Sequence, residues 1–64
     1  MTHQRADLAH RIRTELTTIS LAGQLIQRDQ PGSDRQRRLA TEVVRACRRL
    51  QECFEALEQL EERG

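Results

Sequence analysis

A chain of 64 residues, 36% hydrophobic and 33% charged, has room for one small unit, near the lower limit for a core that stands alone. Phe54 is the only aromatic residue, so a monomer has little apolar area to bury and self-association is the expected remedy. Eleven basic residues, all arginine, against ten acidic ones leave a net charge of +1, which gives no electrostatic reason to expect nucleic acid, and no run is long or apolar enough for a signal peptide or a membrane span.

The first element is predicted over about residues 3–28. Ile12, Ile19 and Ile26 recur every seven residues, with Ala9, Leu16 and Gly23 at the alternate seam positions and Leu8, Ala22 and Leu25 widening the stripe. Residues 29–33, Asp-Gln-Pro-Gly-Ser, break the pattern. Pro31 disfavours helix at Gln30, Gly32 suits a turn, and Ser33 followed by Gln36 fits a capping box opening a second helix. That helix is predicted over about residues 34–62. Leu39, Val43, Ala46, Leu50, Cys53, Leu57 and Leu60 form its seam, flanked by Ala40, Cys47 and Phe54. Both stripes are wider than a two-stranded coiled coil needs, and the short connection makes the helices antiparallel neighbours. The expected fold is all-α: a single-domain helical hairpin over residues 1–64 that homodimerises into a four-helix bundle.

Charge on the second helix is polarised. Arg35, Arg37, Arg38, Arg45, Arg48 and Arg49 crowd its first half, and Glu52, Glu55, Glu58, Glu61 and Glu62 fill its second. In an antiparallel hairpin the acidic end lies beside Arg5, Arg11 and Arg13, so pairing across the hairpin is expected; docking of an acidic partner on the basic half is the alternative. Cys47 and Cys53 would sit roughly 9 Å apart along one helix, too far for an internal disulfide, and read as reduced apolar residues.

His10 is the residue that stands out on the first helix, since it falls opposite Ile12, on the solvent face. The run Ala9-His10-Arg11-Ile12-Arg13-Thr14-Glu15-Leu16-Thr17-Thr18-Ile19 resembles, without a gap, the H-box of sensor histidine kinases, roughly S-H-E-L-R-T-P-L-T-x-I. The resemblance implies a dimerisation and histidine phosphotransfer (DHp, HisKA) domain of a two-component system. It makes His10 the phosphoacceptor and Thr14, one turn later, the residue that positions a water for dephosphorylation of the partner. Thr17, Leu21 and Ala22 match the positions that read the partner regulator; the heptad phase independently puts Leu21 on the solvent face.

Two positions depart from the family pattern. Arg11 stands where an acidic residue usually accepts the imidazole proton, and arginine cannot act as a base at neutral pH; Asp7, three residues before His10, is the substitute on the same face, unless it pairs with Arg11. Glu15 stands where the family has a helix-bending proline, so a straighter helix is expected.

The implied partners are a second copy of the chain, a response-regulator receiver domain and an ATP-binding kinase domain in cis or in trans, with no nucleic acid and no membrane contact by this segment. The chain has no glycine-rich nucleotide lid, so ATP and Mg are expected on a separate catalytic domain, and no cofactor or metal on this one. The expected location is cytoplasmic, including the cytoplasmic part of a membrane-bound sensor. Two alternatives stay open: a stand-alone phosphotransfer or adaptor protein, and a dimerising hairpin with a degenerate H-box that never carries phosphate.

Overall fold

A computed structural model describes residues 3–63 as two α-helices, α1 (Gln4–Arg28) and α2 (Asp34–Arg63), lying side by side in a rod of 48 × 14 × 12 Å. No helix is long and apolar enough to cross a membrane among the described residues.

The turn between them is wired by its own side chains. The chain leaves the helix at Asp29, which is extended at φ −86°, ψ 164°, one residue ahead of Gln30, the position that Pro31 bars from helix. Asp29 then holds the turn with both carboxylate oxygens: Oδ1 accepts from the Gln30 N–H at 3.0 Å and Oδ2 from the Ser33 hydroxyl at 3.1 Å. Gly32 takes φ +78°, the left-handed region where only a residue without Cβ is unstrained. Ser33 caps α2, its Oγ accepting from the Gln36 N–H at 3.0 Å. The Gln36 side chain departs from a capping box. Its Oε1 accepts from the Gly32 N–H at 2.8 Å, and its Nε2 donates to the Ile26 carbonyl at 3.3 Å, joining the end of α1 to the start of α2.

Only Ala22, Ala46 and Cys53 are fully buried among the described residues. These are small side chains, and they let the helices approach closely while larger residues pack half-exposed at the margins. On α2 the heptad series from Leu39 to Leu60 lies along the contact with α1, every member buried or half-buried.

On α1 the seam differs from expectation. Leu8, Ile12, Glu15, Ile19, Ala22 and Ile26 face α2, whereas Ala9 and Leu16 point away from it, Leu16 being 52% exposed. The isoleucines fix only half of a heptad seam, and the alternate positions fall one residue earlier than hydrophobicity alone suggests. Cys47, expected at the edge of the α2 seam, is exposed and reduced.

The expected pairing of the acidic end of α2 with Arg5, Arg11 and Arg13 is also corrected. Arg5, Arg13 and Glu61 border one groove, yet none of the three arginines makes an ion pair among the described residues. The ion pair that crosses the hairpin joins Glu15 to Arg49, near mid-length.

Candidate functional site

His10 is exposed on α1, on the side turned away from the seam residues Ile12 and Ile19. On a helix the residues three and four away are its surface neighbours. These are Asp7 on one side and Arg13 and Thr14 on the other, all exposed. The imidazole is therefore open to a large partner. The Thr14 hydroxyl donates to the His10 carbonyl at 3.0 Å, Thr17 to the Arg13 carbonyl at 2.9 Å and Thr18 to the Thr14 carbonyl at 3.1 Å. Three threonines thus spend their hydroxyl protons on the preceding turn and keep only lone pairs for anything outside.

Asp7 heads the same face. Its backbone N–H belongs to the first turn, donating to the His3 carbonyl at 2.8 Å. Its carboxylate makes no ion pair with Arg11 among the described residues, so it stays available. Arg11 points to the side instead, where it lines an open cleft of about 300 Å³ with Asp7, Leu8 and, from α2, Ala56, Gln59 and Leu60.

Of the three expected partner-contact positions, Thr17 and Leu21 are exposed, Leu21 by 55%. Ala22 is corrected: at 5% exposure it is packed against α2, and its methyl group cannot reach a docking protein.

Sequence reasoning missed a polar cluster on the seam. The Arg49 Nε donates to Glu15 Oε2 at 2.8 Å and its Nη2 to Glu42 Oε1 at 3.1 Å, with the Glu15 side chain only 12% exposed. Hydrogen bonds to Glu15, then to Glu42, raise the guanidinium above its already high ordinary pKa, so it stays cationic wherever the protein is folded. The clue was present: Glu15 falls in seam phase between Ile12 and Ile19, where a carboxylate needs a cation opposite. Among the described residues no three His, Cys, Asp or Glu side chains converge as a metal site would require.

An exposed histidine one turn from a threonine, on the outer face of a hairpin, is the arrangement the H-box resemblance implied, and it is matched along almost the whole chain. Residues 2–64 match the family described as His Kinase A (phospho-acceptor) domain, HisKA. The chain belongs to that family. HisKA domains are the phosphoacceptor and dimerisation domains of histidine kinases, and their hairpins typically pair as homodimeric four-helix bundles. This HisKA hairpin has no match among the curated proteins or the solved structures searched.

One flank of this HisKA hairpin is apolar and uncovered. Ala9, Ile12, Leu16 and Leu57 line a groove of about 530 Å³ bordered by Arg5, Arg13 and Glu61. Toward the turn, Ala40, Cys47 and Phe54 recur every seven residues on the same side of α2, Phe54 being 49% exposed.

Proposed function

We propose that His10 accepts a phosphoryl group from ATP held by a separate catalytic domain and passes it to an aspartate of a response-regulator receiver domain. The reading is supported by the HisKA match over residues 2–64 together with the exposure of His10 on the outer face of α1. In the first step an imidazole nitrogen attacks the terminal phosphorus; the bond from phosphorus to the bridging oxygen breaks and ADP leaves. The proton lost from the imidazole goes to a base, for which Asp7 is the candidate on the same face. In the second step the aspartate carboxylate attacks phosphorus, the N–P bond breaks and the imidazole leaves. Thr14 holds the water that later hydrolyses the regulator's acyl phosphate. Thr17 and Leu21 touch the receiver domain, which an exposed leucine without a core role supports. Mg accompanies ATP on the catalytic domain.

The chain dimerises through the uncovered apolar flank. Ala9, Leu16 and Phe54 are too exposed to serve the hairpin itself, and their burial against a second copy supplies the area that a 64-residue chain lacks. Arg5 and Arg13 on one edge and Glu61 on the other can pair with a copy related by a two-fold axis. A location in the cytoplasm, where ATP is available, fits this chemistry.

A second reading is favoured by Arg11. With a cation where the family carries its acid, the chain would be a dimerising hairpin that never carries phosphate, or an adaptor serviced by other proteins. Exposure to a small phosphoramidate donor, followed by peptide mass spectrometry beside a His10→Gln control, separates these. An acid-labile phosphoryl group on His10, absent from the control, is the expected result. Labelling of His10 no faster than of His3 would leave the dimerising hairpin as the better account.

A further inference from the structure

Two apolar seams overlap on α1. Both use Ile12, Ile19 and Ile26. One adds Leu8, Glu15 and Ala22, the other Ala9, Leu16 and Gly23. At about 100° per residue, the centres of the two sets differ by about 50° of rotation about the helix axis. Apolar contact is non-directional, and by hydrophobicity the second set is the better one: each set holds one leucine and one alanine, and the second has a glycine where the first has a carboxylate. The structure nonetheless turns Glu15 inward and leaves Leu16 out.

The directional contact that favours this setting is at Arg49. Its guanidinium is held by Glu42 from its own helix at 3.1 Å and reaches Glu15 at 2.8 Å. Glu42 lies two turns before Arg49, so the arginine is braced against α2 before it meets α1. A carboxylate that is 12% exposed is tolerated on a seam only with such a partner.

We infer that Arg49, braced by Glu42 and acting through Glu15, is a positioning residue that sets the rotation of α1, and with it both the direction in which His10 faces and the side on which Ala9 and Leu16 remain free. The consequence for His10 rests on the phosphotransfer reading above; the setting of the helix does not. Glu15 lies five residues from His10 on a continuous helix, so a turn of α1 at the pair swings the imidazole by the same angle. Among the described residues no neighbouring hydrogen bond holds α1 in rotation: the Gln36 link to Ile26 ends on a backbone carbonyl at the far end of the helix.

The test compares the unmodified chain with Arg49→Met, Glu15→Gln and the charge swap of the whole cluster, Glu15→Arg/Glu42→Arg/Arg49→Glu. The readout is paramagnetic relaxation by a soluble probe at two alanine methyl groups. Ala22 on α1 and Ala46 on α2 are 5% and 0% exposed, and both are protected in the unmodified chain. The expected result is a severalfold rise at Ala22, with Ala46 still protected, in both single variants, and restored protection of Ala22 in the swap. Equal protection in all four proteins would show that packing alone sets the rotation and overturn the inference. A joint rise at Ala22 and Ala46 would also overturn it, since the pair would then merely stabilise the hairpin. Glu15→Gln keeps the shape of the side chain and decides the matter should Arg49→Met not fold. Phosphoramidate labelling of His10 runs beside these measurements. A small donor reaches an exposed imidazole from any direction, so equal labelling is expected throughout. Absence of labelling in the unmodified chain would remove the phosphotransfer reading without touching the relaxation result.

Discussion

Thr14 donates its hydroxyl proton to the carbonyl of His10 at 3.0 Å, so the side chain that follows the histidine by one turn faces outward as an acceptor. On the role proposed for Thr14, a water bound there would donate to it and keep a lone pair free for an electrophile. Thr14→Ala is expected to leave phosphorylation of His10 unchanged and to slow dephosphorylation of the receiver domain, while Thr14→Ser retains both. The alanine variant should be as stable as the parent or more so by about 0.5 kcal/mol, given the helix propensities of the two residues. Receiver dephosphorylation at an unchanged rate in the alanine variant would remove Thr14 from the mechanism.

Asp7, proposed above as the base, is exposed and carries no packing. Asp7→Asn should slow phosphorylation of His10 by about 10²-fold, the usual scale for losing a positioned base, with thermal unfolding unchanged. A rate within a few-fold of the parent would mean that solvent takes the proton.

The turn is held by side chains whose loss can be weighed singly. Ser33→Ala removes the acceptor for the Gln36 N–H and the donor to Asp29; urea unfolding should show a loss of about 1 kcal/mol. Gly32→Ala meets no neighbouring atom but places a Cβ at φ +78°, for a cost of about 1 kcal/mol. If both are neutral, the turn contributes nothing to stability and the helices alone define the hairpin.

Ala46 is wholly buried between the helices. Ala46→Leu should cost about 1–3 kcal/mol through overpacking, despite leucine's equal or better fit to an amphipathic pattern. A neutral outcome would mean that the helices can part there without penalty.

Dimerisation through the uncovered flank is tested by a charge at its centre. Leu16→Glu and Phe54→Glu should each shift sedimentation from dimer to monomer, whereas Leu21→Glu, on the opposite side of α1, should not. A dimer that survives both substitutions uses another face.

The α2 seam was legible from Leu39 to Leu60, because every alternate position carries an apolar residue, while the flanking series Ala40, Cys47 and Phe54 is too sparse to shift it. The end of α1 and the cap of α2 were legible because Pro31, Gly32 and Ser33 act over one or two residues. The α1 seam was half legible. Its isoleucines were identified correctly, but the choice between Glu15 and Leu16 depends on Arg49, 34 residues along the chain, and no local rule sees that far. The burial of Ala22 was legible from the apolar stripe it widens; only the surface-contact assignment by resemblance put it outside. Exposure of His10, Thr17 and Leu21 follows from phase alone and was readable; the hydroxyl bonds of the threonines to the preceding turn were not.

The wiring of the turn gives the hairpin a direction. At the closed end Gln36 ties Ile26 and Gly32 together over short sequence separations, and ordering such contacts demands little loop entropy. At the open end Leu8 must find Leu60 across most of the chain, and α1 has no fully buried residue before Ala22 among the described residues. The expected order is closing from the turn and opening from the other end, as far as the level of the buried Cys53. Amide exchange should be slowest around the Ala22–Val43 level and quicken steadily toward Gln4 and Leu60. His10 sits on the outer face of the open half, at the level that Cys53 pins, so remodelling the surroundings of the imidazole means loosening that half, with the closed half of the rod left intact.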